Sequence, residues 1–157
     1  MLYCTTGQYR CHRYFANNFK DHCLNRRGKR GIYKLLAPGK IIAVIDDEPS
    51  VLRSLKRLLT SHHYETEVFS SGEAFLKRTK VSDVACIVLD IHLDGMSGIE
   101  LSRRLTERGS TVPIIFITAL DSPAVRNEAI EAGGTAFLPK PVSGHELVDT
   151  IERATLS

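Results

Sequence analysis

Four places in this 157-residue chain offer side chains that could do chemistry together: the acid pair Asp46-Asp47, the lone acid Asp90, the hydroxyl of Thr118 and the amine of Lys140. Each closes or follows a short apolar run: Ile41 to Ile45 before the acid pair, Val84 to Leu89 before Asp90, Val112 to Ile117 before Thr118, and Thr135 to Leu138 before Lys140. Taken singly, each has an ordinary explanation. Asp46-Asp47 before a Pro-led helix would serve as an N-cap, Thr118 as a strand residue and Lys140 as a solvated cation. Brought to one place, three carboxylates repel each other and raise their own pKa values unless something positive joins them. A hard divalent cation does so: Mg2+ takes oxygen ligands, uses one or two carboxylates, and keeps positions for water or phosphate oxygens. The set then reads as a phosphoryl-acceptor site. The Asp90 carboxylate would attack phosphorus in line to form an acyl phosphate, with the cation and Lys140 neutralising the transferring oxygens. Thr118 would donate to a phosphoryl oxygen, and the small Ala119 beside it leaves room for the group.

For these groups to meet, the runs that carry them must lie side by side with one polarity. Val84-Ala85-Cys86-Ile87-Val88-Leu89 is too short for a helix and reads as a strand buried on both faces, stopping on Asp90. Ile41 to Ile45 and Val112 to Thr118 read the same way, Tyr64 to Phe69 alternates as an edge strand would, and Thr135 to Leu138 is a short fifth strand. Helical patterns lie between them. Val51, Leu52, Leu55, Leu58 and Leu59 recur at helical spacing behind Pro49, which suits a first turn. Capping boxes at Ser70-x-x-Glu73, Ser97-x-x-Glu100 and Ser143-x-x-Glu146 open the second, third and fifth helices. Asp121-Ser122-Pro123 caps the fourth, which ends at Gly133. Five strands alternating with five helices predict an α/β fold: a doubly wound (βα)5 parallel sheet with strand order 2-1-3-4-5. That order puts Asp46, Asp47 and Asp90 in the crevice at the carboxyl ends of the strands, where ligands bind.

Composition divides the chain. Residues 1–40 carry nine Lys or Arg against the single acid Asp21, whereas the remainder is net acidic, although the whole has a formal charge of +3. Residues 1–39 show no periodicity, and the run Arg26-Arg27-Gly28-Lys29-Arg30 is not organised into a face. They are expected to form a basic, disordered N-terminal extension with no nucleic-acid partner, followed by one domain over residues 40–157. Cys4, Cys11-His12 and His22-Cys23 lack metal-ligand spacing, and Cys86 lies inside a strand. This usage fits a reducing, cytoplasmic setting better than a disulfide framework. No apolar run approaches the ~20 residues of a membrane span, and there is no secretory signal pattern.

Residues 41–155 resemble a response-regulator receiver domain, the CheY-like fold of two-component signalling, and its FixJ-type branch in particular. The resemblance rests on Val44-Ile45-Asp46-Asp47-Glu48-Pro49, on Leu89-Asp90 with Gly95-Met96-Ser97-Gly98, on Ile117-Thr118-Ala119, and on Phe137-Leu138-Pro139-Lys140-Pro141. It implies that Asp90 is the phosphoacceptor and that Asp46, Asp47 and the backbone carbonyl of His92 bind Mg2+ with it. Thr118 and Lys140 would sense the phosphoryl group, with Phe137 the aromatic whose rotamer follows Thr118, and the Lys140-Pro141 bond would be cis. It further implies a phosphoprotein of phosphorelay signal transduction, not an enzyme with an external substrate. A histidine kinase would be the donor, and the face of the fourth helix, fifth strand and fifth helix would control a protein partner or pair two copies as a homodimer.

Three features depart from the family pattern. Asp94 stands where Pro is usual, placing an extra acid near the pocket. Gly134 stands where Ala is commoner, which would loosen the strand carrying Phe137. Residues 1–39 lie outside the resemblance. No helix-turn-helix follows the fifth helix, so a stand-alone regulator acting through a partner is expected, with a fragment of a two-domain FixJ-type transcription factor as the alternative. A non-phosphorylated pseudo-receiver would keep the fold without the chemistry, but the acceptor set is complete. A flavodoxin-like phosphate binder would need backbone donors after the first strand, where Asp46-Asp47-Glu48 would repel the ligand. Leu120, two residues after Thr118, is placed to shield an acyl phosphate from water.

Overall fold

The apolar runs do become strands, and the patterns between them become helices. The computed structural model describes residues 40–78, 81–120 and 122–156; the expectations for residues 1–39, and for Asp121 in a cap, lie outside them. The elements are β1 (Ile41–Ile45), α1 (Pro49–Ser61), β2 (Thr66–Phe69), α2 (Gly72–Leu76), a 3-10 turn (Val81–Asp83), β3 (Val84–Asp90), α3 (Gly98–Glu107), β4 (Ile114–Thr118), α4 (Pro123–Glu131), β5 (Ala136–Pro139) and α5 (Gly144–Thr155). All neighbouring strands pair in parallel, in the order β2-β1-β3-β4-β5. The predicted doubly wound sheet is therefore the observed one.

Strand periodicity divides the core into two. Ile41, Ala43 and Ile45 point to one face with Ile87, Leu89 and Phe116, where α2, α3 and α4 contribute Phe75, Leu101, Leu105 and Ala129. Ile42 and Val44 point to the other with Val88, Ile115 and Ile117, covered by Leu52, Leu55 and Leu59 of α1 and Leu147 and Ile151 of α5. Because β1, β3 and β4 are buried on both faces, they show no polar alternation in sequence. Burial also pushes the Cys86 thiol up to about 12, so at neutral pH it has the inertness of a core residue. Among the described residues no helix is long and apolar enough to cross a membrane.

Boundaries moved for identifiable reasons. β2 begins at Thr66 because the Tyr64 N–H still donates to the Leu59 carbonyl at the end of α1 (3.0 Å). β4 begins after Pro113, which has no N–H but whose carbonyl accepts from Ile87 N (2.9 Å). β5 runs from Ala136 to Pro139, one residue later than its apolar pattern. Three serines cap as expected: Ser97 accepts from Glu100 N, Ser143 from Glu146 N, and Ser122 from Val125 N with Pro123 behind it. The capping box at α2 does not form as predicted. Ser71, not Ser70, is the N-cap and accepts from Ala74 N (3.1 Å), which puts Glu73 one position too early to close the box.

Gly134 is also read differently in three dimensions. A Cβ there would lie 2.8 Å from the buried Phe116 ring and 2.8 Å from the Ala129 carbonyl. The glycine thus permits a close approach between the turn after α4 and the sheet, and does not loosen β5. Gly134→Ala, which ordinarily would stabilise through the unfolded chain, is expected here to cost about 1–3 kcal/mol by overpacking. Urea denaturation measures this, and an unchanged or higher midpoint would contradict it.

Candidate functional site

Strand register assembles the site. Ile45 pairs with Leu89, so Asp46 and Asp90 emerge side by side at the ends of β1 and β3. Asp90 pairs with Ile117, which places Thr118 at the adjoining edge of β4, and Thr118 pairs with Pro139, which places Lys140 just beyond. Lys140 N donates to the Thr118 carbonyl (2.7 Å), and the Lys140-Pro141 bond is cis. Carboxylate oxygens of Asp46, Asp47 and Asp90 all lie within 4.8 Å of one another. Asp46 is fully buried and Asp90 nearly so.

A cation already stands between two of these acids. The Lys140 amine donates to Asp46 Oδ2 at 2.7 Å and to Asp90 Oδ2 at 2.5 Å. The remaining oxygens meet backbone donors: Asp46 Oδ1 accepts from Glu48 N (2.9 Å), Asp90 Oδ1 from His92 N (3.1 Å) and Asp47 Oδ2 from Asp94 N (3.3 Å). Desolvation raises the pKa of Asp46, although the Lys140 hydrogen bond, the Glu48 N–H and the Lys140 charge oppose it. Burial works against the charged Lys140, but its bonds to Asp46 and Asp90 outweigh that and hold its pKa above the ordinary lysine value. Asp46 and Asp47 are therefore not the helix cap that their position allowed. The N-cap of α1 is Glu48, which makes no side-chain cap bond.

Three close carboxylates, with no nitrogen or sulfur ligand among them, form an oxygen donor set suited to a hard divalent ion such as Mg2+. Among the described residues the Asp94 carboxylate is not part of this set, and the Asp94 backbone N–H donates to Asp47 Oδ2.

Thr118 is fully buried, and its Oγ1 accepts from Leu120 N at 3.1 Å. Ala119 and Leu120 are exposed beyond it. The His92 side chain is exposed, yet its ring has a partner, with Nδ1 3.2 Å from Thr118 Oγ1. Phe137 is half-buried on β5, and the Arg126 guanidinium of α4 sits 4.7 Å above its ring. Glu73, displaced from its capping role, accepts from Met96 N (3.0 Å) and ties α2 to the loop after Asp90. These contacts join residues on different elements, so no local pattern announces them.

The family model for the response regulator receiver domain matches residues 42–152. The response regulator protein TodT of Pseudomonas putida is 34% identical over 124 residues, 79% of this chain and 55% of that protein. The transcriptional regulatory protein TdiR of Thauera aromatica is 35% identical over 113 residues, 72% of this chain and 50% of that protein. The chain thus spans about half the length of the curated relatives it matches. The crystal structure of FixJ-N superposes with a TM-score of 0.67 at 33% identity, covering 74% of this chain and 94% of that one. The chain therefore belongs to the response regulator receiver family.

Proposed function

We propose that this chain is a cytoplasmic phosphorelay receiver that accepts a phosphoryl group on Asp90 from a histidine kinase. The observation that carries this reading is the meeting of three carboxylates within 4.8 Å at the carboxyl edge of the sheet, two of them on one lysine. Asp46, Asp47, Asp90 and the His92 carbonyl would hold Mg2+. When bound, the ion supplies charge neutralisation to the transferring oxygens. The Asp90 carboxylate forms the new P–O bond as the donor's P–N bond breaks. Lys140 keeps its amine on the developing charge, the Thr118 hydroxyl donates to a phosphoryl oxygen, and Ala119 leaves room for it. Phe137 then turns with Thr118 and reshapes the face of α4, β5 and α5 by population shift. That face would control a protein partner or pair two copies of the chain.

A second output reading has a specific support. The relative TdiR is named as a transcriptional regulator, and the match spans half of its length. The same switch would then govern a DNA-binding segment in a longer protein.

Incubation with a small-molecule acyl phosphate is expected to add one phosphoryl group with Mg2+, none with EDTA, and none to Asp90→Ala, as intact mass reads directly. Absence of transfer from any donor would favour a pseudo-receiver. Leu120→Asn, which opens the rim above Thr118 to water, is expected to hasten loss of the group; an unchanged decay rate would remove the shielding role.

The charge balance can be tested without phosphorylation. In metal-free buffer Lys140→Ala leaves three acids facing one another. It is expected to lower the unfolding free energy by about 1–3 kcal/mol, less than a fully buried pair would lose because the amine is partly exposed. Mg2+ should restore part of that loss in urea denaturation, and equal stability of variant and wild type without metal would refute the balance.

A further inference from the structure

We propose that the His92 imidazole is a positioning residue: it reserves the Thr118 hydroxyl in the unphosphorylated protein and competes with the phosphoryl group for it. The proposal rests on the phosphoacceptor reading above and names a side chain that this reading uses only through its backbone.

The hydroxyl has few alternatives. Thr118 is fully buried, and one acceptor position of its oxygen is filled by Leu120 N–H at 3.1 Å. When the ring carries its proton on Nε2, the hydroxyl's single proton is directed at His92 Nδ1, 3.2 Å away, and this is the tautomer the proposal assigns to the resting protein. A hydroxyl has one proton to donate, so it serves either the ring or a phosphoryl oxygen. In that tautomer the contact with the ring must break for Thr118 to engage the group on Asp90.

The backbone that carries the ring is held on both sides. His92 N donates to Asp90 Oδ1 at 3.1 Å, so one residue spans acceptor and hydroxyl, its backbone on the first and its ring on the second. On one side Ile91 N donates to the Ile117 carbonyl (3.1 Å) and the Ile91 carbonyl accepts from Gly98 N (3.0 Å). On the other, Leu93 is buried, Asp94 N reaches Asp47, and Met96 N reaches Glu73. A Cβ at Gly98 would fall 2.1 Å from the Asp90 carbonyl, so the loop closes tightly on the acceptor strand. His92 itself is exposed, so the core does not depend on its ring.

By linkage, a ligand shifts an equilibrium only by its difference in affinity for the two states. A hydrogen bond present only in the resting state weakens binding at Asp90 by about two- to tenfold, the worth of one neutral hydrogen bond. The test uses beryllofluoride, a tetrahedral mimic of a carboxyl-bound phosphoryl group, titrated with Mg2+ into wild type, His92→Phe and His92→Asn. Titration calorimetry gives affinity, and the Thr118 methyl NMR signal reports the switch. His92→Phe, which lacks the nitrogen, should bind about two- to tenfold tighter, with its free-state Thr118 signal displaced towards the bound position. His92→Asn, whose amide falls near the place of Nδ1, should restore wild-type affinity and shift. Unchanged or weaker binding by His92→Phe, with wild type binding normally, overturns this inference alone. Equal effects of Phe and Asn would mark a loop-packing role and overturn it as well. Wild type that ignores beryllofluoride overturns both this inference and the phosphoacceptor reading.

Discussion

The Lys140 amine, shared between Asp46 and Asp90, is the contact on which the carboxyl edge of the sheet depends. Both acids are almost entirely withdrawn from water, and burying a charge without a partner is far more costly than any single contact in the core. One amine at 2.7 and 2.5 Å offsets two such charges. It comes from the far side of the sheet, after β5, and must reach past β4 to Asp90 and past β3 to Asp46. Adjacent strands are spaced about 4.8 Å apart, so only a long, flexible cation placed at that edge could do this. The bond from Lys140 N to the Thr118 carbonyl aims it there.

The rest of the edge follows from the same constraint. With Lys140 on one oxygen of each buried acid, the other oxygens need donors, and backbone N–H groups of Glu48 and His92 supply them. Those two donors lie just past β1 and β3, so the chain must turn sharply at both places. Pro49 starts α1 at once after β1, and Gly98 lets the loop after β3 close against Asp90. The acids, their donors and the turns are one solution to one electrostatic problem.

Helix anchoring varies around the sheet. α5 buries five residues, including Leu147 and Ile151, whereas Ala129 is the only residue of α4 buried within the helix and Ile130 is 60% exposed. α4 is thus the lightest-packed of the long helices, and elements that move are drawn from the least stable parts of a fold. Its Arg126 meets the Phe137 ring across a cation–π contact of 4.7 Å.

The sequence by itself determined the strands, the helices and the sheet order, because these follow from short-range rules: an apolar run too short for a helix, serine caps three residues before a glutamate, and alternation of strand and helix. It also brought Asp46, Asp47, Asp90, Thr118 and Lys140 to one edge, since each closes or follows its strand and parallel strands share that edge. Tertiary structure decided what each group touches there. Asp46 could have been a cap or an acid of the pocket, and only the Lys140 amine and the Glu48 N–H show the second. A one-residue shift of the α2 start released Glu73 to hold Met96, and the nearness of Phe116 turned Gly134 from a weakness into a requirement. The His92 ring and the Thr118 hydroxyl are 26 residues apart, so no periodicity records their contact. Hydrogen bonds and close packing act over a few ångströms, and between residues far apart in the chain that distance exists only once the strands have paired.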